Sequence, residues 1–174
     1  MESVDVIIPA YNPGKEFERL LEALSTQSYP VQKILVMNTE EKYWKKIWEK
    51  RFPIVEVHHL KKEEFDHGGT RKKAAGLSNA DIMVFMTQDA LPKDKKLIRN
   101  LTEPFRKDEK IGASYARQLP KSDCRYLERY TRSFNYPEES AVKWEKDTKT
   151  LGVKAYFCSN VCAAYRKNVY EETG

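Results

Sequence analysis

The segment EFDHGGTRKKAAGLSNADIMVFMTQDA, residues 64–90, holds the side chains best suited to chemistry on an anion. Arg71, Lys72 and Lys73 crowd what reads as the start of a helix, where the backbone already contributes roughly +0.5 of an elementary charge. With no anion nearby, that placement costs from a few tenths to about 1 kcal/mol. Gly68 and Gly69 permit close backbone approach, and the exposed amides of a helix start are natural phosphate binders. Together these features point to a diphosphate. A second reading stands beside it: the basic side chains extend into solvent and Asp66 simply caps the helix. His67 is either a satisfied loop residue or a ligand-facing donor.

The same segment ends in TQDA, with one carboxylate, Asp89, just past an almost wholly apolar run. Such a residue often caps the next helix, here expected over residues 92–106. A divalent cation bridging a diphosphate, however, needs only one or two protein carboxylates, because phosphate oxygens and water complete its shell. One aspartate beside a phosphate loop is therefore chemically sufficient.

Hydrophobic periodicity supplies the elements that must position these groups. Short apolar runs at residues 4–9, 33–37, 54–58 and 81–86 read as buried strands. Between them, Phe17, Leu20, Leu21 and Leu24 recur at helical spacing, residues 43–50 form a helix with Trp44, Ile47 and Trp48 inward, and residues 69–77 are helical. Strand and helix thus alternate four times before residue 90. The pattern predicts an α/β fold, a mainly parallel central sheet with helices on both faces and ligands at the carboxyl ends of the strands. The loops at those ends carry Ala10, Tyr11 and Asn12, then Asn38, Thr39 and Glu40, then EFDHGGTR, then Thr87, Gln88 and Asp89. Further on, Leu97, Leu101 and Phe105 mark a helix, 111–117 a strand, 124–132 a helix and 155–164 a long late strand. Residues 168–173 read as a short helix with Gly174 as its C-cap.

Composition narrows the function classes. At 174 residues with 40% hydrophobic content, the chain supports one well-cored domain and leaves little room for a second. Its 31 Lys and Arg alternate with 26 Asp and Glu, so the net charge of +5 is spread over the surface rather than blocked as in a polyanion-binding stripe. No basic segment followed by a long apolar stretch opens the chain, and no run of about 18 apolar residues is present, so neither a signal peptide nor a membrane span is expected. The three cysteines, Cys124, Cys158 and Cys162, are odd in number and lack a matching second pair, which predicts reduced, buried thiols rather than a disulfide framework or a zinc site.

The opening VDVIIPAYNPGKEFERLLEALSTQSYP, the central DHGGTRKKAAGLSNADIMVFMTQDA and the late YFCSNVCAAYRKNVYEETG together resemble the inverting family 2 glycosyltransferases. The resemblance covers the whole chain and implies the Rossmann-like GT-A fold. DHGGTR, TQDA, ARQLP, FNYP and FCSNVCAAYRK are similar, more narrowly, to bacterial rhamnosyltransferases that use dTDP-rhamnose. By that resemblance, Pro9, Ala10 and Tyr11 line the base pocket, and Asn38 or Glu40 faces base or ribose. Asp66, His67, Gly69, Arg71 and Gln88 fall on the nucleotide-sugar side, with Arg71 near the diphosphate. Asp89 matches the last Asp of the Asp-x-Asp motif and would bind Mg²⁺ or Mn²⁺, although Thr87 stands where the first Asp is usual. Ser159 and Asn160 would lie near the acceptor or donor sugar.

The resemblance further implies residues 1–117 as a nucleotide-sugar-binding part and 118–174 as the start of an acceptor-side part of one domain. It places the catalytic base beyond Gly174. Partners would be a nucleoside-diphosphate sugar and a saccharide or lipid-linked acceptor, in surface polysaccharide assembly in the cytoplasm at the inner face of the membrane. Two other classes compete. A sugar-nucleotide nucleotidyltransferase would carry a Gly-rich, Arg- and Lys-containing loop after the first strand, and IIPAYNPGKEF has one Gly and no Arg. A non-catalytic nucleotide-binding or nucleic-acid module would interleave aromatics with basic residues, and KKIWEKRF reads better as helix core; nucleic acid is not an expected partner.

Overall fold

A computed structural model describes residues 1–120 and 123–173, and the C-cap expected at Gly174 lies outside them. Two compact units are present: Met1–Tyr115 with Asn160–Gly174, and Ala116–Ser159. The segment expected as one acceptor-side part is thus divided, because its last strand pairs back into the first unit's sheet.

The first unit is built on a six-stranded sheet of β1 (Val4–Tyr11), β2 (Lys33–Thr39), β3 (Val55–Leu60), β4 (Ile82–Met86), β5 (Ala113–Tyr115) and β6 (Cys162–Arg166), in the order β3-β2-β1-β4-β6-β5. Strands β3, β2, β1 and β4 run parallel, and β6 joins β4 and β5 antiparallel. Its helices are α1 (Lys15–Ser25), α2 (Ile47–Arg51), α3 (His67–Leu77), α4 (Leu97–Lys107) and the terminal helix (Lys167–Thr173).

Right-handed crossovers advance from β1 to β2 and then in the opposite direction from β3 to β4, which puts α1 and α3 on opposite faces. On the α3 face, Ile7, Leu35, Met37, Met83 and Phe85 pack with Ala74 and Ala75. Their strand neighbours Val6, Ile8, Ile34, Val36 and Val84 are equally buried and, by the two-residue period, point to the other face. Helix α1 buries Phe17, Leu20, Leu21 and Leu24, each contributing roughly 1.5–3 kcal/mol of transfer free energy.

Three local expectations are corrected. The helix expected over 43–50 is a 3-10 turn, Glu41–Tyr43, followed by α2. Trp44 between them is extended, so the helical period breaks; Trp44 and Trp48 are buried while Ile47 is 60% exposed. The long late strand is only β6, preceded by a 3-10 turn at Gly152–Tyr156, because β4 offers a ladder that ends at the Met86–Cys162 pair. The strand expected over 111–117 shortens to β5 for the same reason, its register running only from Ala113–Tyr165 to Tyr115–Ala163.

None of the cysteines is bridged; Cys162 is buried, Cys124 half-buried and Cys158 exposed, so burial was correctly expected only in part. Burial pushes the Cys162 thiol from 9.0 up to about 12. As pH rises the unfolded chain therefore loses this proton first, so the thiol's contribution to stability is complete below about pH 9 and is lost progressively toward about pH 12. Cys162→Ala should flatten the alkaline decline of stability measured by urea unfolding across that window. An unaltered slope would remove Cys162 as its source.

The second unit contains α5 (Tyr126–Asn135), with α6 (Thr148–Leu151) between 3-10 turns at Glu145–Asp147 and Gly152–Tyr156; the terminal helix of the first unit is accordingly α7.

Candidate functional site

The chain leaves β1 outward through β2 to β3 and then returns to β4 on the other side of β1, so the crevice between β1 and β4 is the point where strand order reverses. Ladder pairing between these strands stops at Ile7–Phe85, and Pro9 has no N–H with which to extend it. Gln88 takes over. Its Oε1 accepts from the Tyr11 N–H at 2.8 Å and its Nε2 donates to the Tyr11 carbonyl at 3.2 Å. The side chain expected to touch ligand therefore fastens the β4 loop to the end of β1.

The turn after β4 is closed by Ala90 N–H on the Thr87 carbonyl at 3.2 Å, while Thr87 N–H reaches the Val161 carbonyl at 3.1 Å. Asp89 occupies this turn, exposed and without a side-chain partner among the described residues. It does not cap α4, which begins at Leu97; Asp94 instead accepts from the Lys96 N–H at 2.7 Å. Of the two readings open for Asp89, helix capping is excluded.

Pro9 and Ala10 are strand residues paired with Met37 and Asn38. Tyr11, 48% exposed, meets Tyr43 edge-on at 5.5 Å. Tyr43 was not singled out from sequence, because its ring joins Tyr11 only through the 3-10 turn that replaced the expected helix. Backbone conformations that side chains rarely adopt flank this edge: φ is 45° at Asn12 and 67° at Glu40.

At the end of β2, fully buried Asn38 donates through Nδ2 to the Glu40 carbonyl at 3.2 Å and contacts His59 Nδ1 at 3.0 Å. A carbonyl can only accept, so the amide orientation is set by Glu40, and His59 Nδ1 must then accept with its proton on Nε2. Asn38 Oδ1 and Thr39 Oγ1 remain buried without partners among the described residues. Glu40 is less available than expected: Lys42 Nζ lies 2.8 Å from one oxygen and the Lys62 N–H 3.3 Å from the other. The hydrogen bond from Lys42 holds its carboxyl below the usual range, with burial acting in the opposite direction.

At α3, Asp66 is the N-cap, its carboxylate accepting from the Gly69 N–H. A Cβ at Gly69 would come within 2.5 Å of that carboxylate, so the glycine serves the cap. Arg71 Nη1 donates to the His67 carbonyl at 2.8 Å, and its Nε is buried without a partner among the described residues. His67 is exposed with its ring 5.0 Å from Phe65. The helix start is thus self-capped, with unused donor capacity at Arg71.

Asn160 reaches the same sheet edge through the Met86–Cys162 pairing, and its Oδ1 accepts from Tyr165 Oη at 2.7 Å. Ser159 belongs to the other unit, where its Oγ accepts from Gln118 at 3.1 Å. Arg166 lies at the opposite edge and ties Glu2, Ile111 and Phe105 together, an architectural clamp.

The model of the family described as Glycosyl transferase family 2 matches residues 5–174. The chain belongs to glycosyl transferase family 2. Within this family it is 36% identical over 170 residues to the O-antigen chain rhamnosyltransferase RfbN of Salmonella typhimurium, covering 97% of this chain and 54% of that one. To the O-antigen chain rhamnosyltransferase WbaN of Salmonella anatum it is 35% identical over 177 residues, covering 100% and 55%. The chain spans about half the length of the curated relatives it matches.

Solved structures agree on the GT-A fold. The mannosyltransferase PcManGT from Pyrobaculum calidifontis, in complex with GDP-Man and Mn²⁺, superposes with a TM-score of 0.66 at 17% identity, over 99% of this chain and 47% of that one. S. aureus TarS 1-349 gives 0.64 at 17%, over 98% and 48%.

In this family 2 chain, no group of three or more His, Cys, Asp or Glu among the described residues could hold a metal by itself. Asp89 suits an ion that takes most of its ligands from phosphate and water. No helix among the described residues is long and apolar enough to cross a membrane.

Proposed function

We propose that the crevice between β1 and β4 binds a nucleoside-diphosphate sugar, dTDP-rhamnose in preference, in an enzyme that transfers L-rhamnose with inversion to a saccharide or lipid-linked acceptor. The reaction would serve bacterial surface polysaccharide synthesis on the cytoplasmic side of the membrane. The observation that carries the reading is the carboxylate of Asp89, without a partner among the described residues, at the strand switch point, fixed beside β1 by the Gln88 clamp. The two relatives named as O-antigen chain rhamnosyltransferases support the choice of sugar.

In this reading Met1–Tyr115 with Asn160–Gly174 receives the donor, and Ala116–Ser159 serves the acceptor side. Tyr11 and Tyr43 offer aromatic surface to the base, with Pro9 and Ala10 as the strand beneath. Buried Asn38 and Glu40 hold the β2 loop in shape, Asp66, Gly69 and His67 form the start of α3, and Arg71 has donor capacity left for phosphate oxygens. Asp89 would hold Mg²⁺ or Mn²⁺, which when bound neutralises charge on a departing diphosphate. Preorganised charge of this kind favours the transition state because no solvent must reorient as the bond breaks.

Calorimetry with dTDP-rhamnose and UDP-sugars, with and without Mn²⁺, tests the proposal. The expected result is dTDP-rhamnose binding strengthened at least tenfold by Mn²⁺, about 1.4 kcal/mol. Absence of nucleotide binding at millimolar concentration would overturn it.

A further inference from the structure

We propose that the Ala116–Ser159 unit contains a pocket for one pyranose ring of the acceptor, packed against Phe157 and Leu127 and hydrogen-bonded by Gln118, Asn135 and Ser159. The assignment rests on the transferase reading above and names the part of the acceptor recognised there. A cavity of about 570 Å³ lies within this unit, with these five residues among its lining. That volume falls inside the ~300–1,000 Å³ range of small-molecule sites.

The polar floor is assembled before any ligand arrives. Gln118 Nε2 donates to Ser159 Oγ at 3.1 Å and to Tyr136 Oη, while its Oε1 accepts from Arg132 Nη1 at 2.8 Å. One amide therefore joins three chain segments far apart in sequence. Since Ser159 Oγ accepts from Gln118, its own proton remains available to donate. The Asn135 amide has no hydrogen bond within the described residues and offers both a donor and an acceptor. One side of the cavity is apolar: half-buried Phe157, braced edge to face by buried Tyr136 at 5.6 Å, and exposed Leu127.

A hexopyranose has hydroxyls around its rim and a patch of C–H groups on one face. A floor of amide and hydroxyl groups beside the apolar surface of Phe157 and Leu127 satisfies both surfaces. Two guanidinium groups line the cavity: Arg132 is neutralised by Glu128 at 2.9 Å and held by Gln118, while Arg125 makes an anion the competing ligand that inorganic pyrophosphate tests. With its charge paired, Arg132 orients the floor rather than recruiting phosphate.

Saturation-transfer NMR on the 174-residue chain, with methyl α-L-rhamnopyranoside and the methyl glycosides of glucose, galactose and mannose at about 10 mM, suits the millimolar affinity of a one-ring ligand. Transfer to the ring protons of at least one glycoside is expected. Phe157→Ala, Gln118→Ala and Asn135→Ala should each reduce it at least about fivefold, with dTDP affinity changed by less than about twofold. Asn135→Ala removes no internal hydrogen bond and keeps the test sound if Gln118→Ala disturbs folding. If dTDP binds but no glycoside does, or if Asn135→Ala and Phe157→Ala keep the full signal, the pocket assignment is wrong and the donor reading stands. Displacement of the glycoside by inorganic pyrophosphate would assign the pocket to an anion instead and overturn the proposal. Loss of dTDP binding in the unaltered chain would defeat the donor reading itself.

Discussion

Replacing Asp89 by alanine is expected to erase the metal-dependent part of nucleotide-diphosphate binding, an affinity loss of at least tenfold in the presence of Mn²⁺ and little change in its absence. The carboxylate is exposed, has no partner among the described residues and does not cap α4, so its removal leaves no donor unsatisfied. Folding stability should accordingly stay within about 0.5 kcal/mol of the parent. Asp94→Ala is the matching control, because that side chain accepts from the Lys96 N–H and lies outside the proposed site. With a single carboxylate available, Thr87→Asp should strengthen Mn²⁺-dependent binding by supplying a second oxygen ligand. Retention of the full Mn²⁺ effect in Asp89→Ala, measured by calorimetry with dTDP, would remove Asp89 from the metal site.

Trp48→Ala should cost about 3–5 kcal/mol, a large share of the roughly 5–15 kcal/mol that holds an ordinary domain folded. Trp48 is fully buried, 5.4 Å from the ring of Phe17 on α1 and 5.0 Å from Trp44. Trp44 in turn lies 6.3 Å from His59, whose Nδ1 accepts from the amide of Asn38 at the end of β2. The cavity should therefore lower the urea midpoint and also weaken dTDP binding through the β2 loop. Trp48→Phe should cost much less, because the buried indole N–H has no partner among the described residues and its removal relieves an unsatisfied donor. Equal losses in the two variants would show that packing around Trp48 is not what supports this corner.

Much of the scaffold was legible from residue order. Val6 to Ile8, or Ile82 to Met86, are continuous apolar runs because a parallel strand is covered on both faces, and such runs stay visible without tertiary information. Helix α1 was equally plain from Phe17, Leu20, Leu21 and Leu24. Misreadings fell where a short apolar segment had to choose between periods. Ile47 points to solvent because an extended residue interrupts the turn before α2, and the stretch before Cys162 lies past the end of the β4 ladder, which stops at the Met86–Cys162 pair.

At the candidate site, residue type and chain order by themselves determined which loops gather at one edge of the sheet, since parallel strands joined by helices bring their carboxyl ends together. They also marked Asp89 and the Asp66 to Arg71 segment as chemistry-bearing. Only the tertiary structure decided how those groups are spent. Gln88 binds the main chain of Tyr11, 77 residues away; Asp66 is taken by the α3 cap, Glu40 by Lys42, and Asp89 is left without a partner among the described residues. The physical reason is that a hydrogen-bonding group serves whichever partner folding brings within about 3 Å, and no local pattern records a partner supplied by another strand.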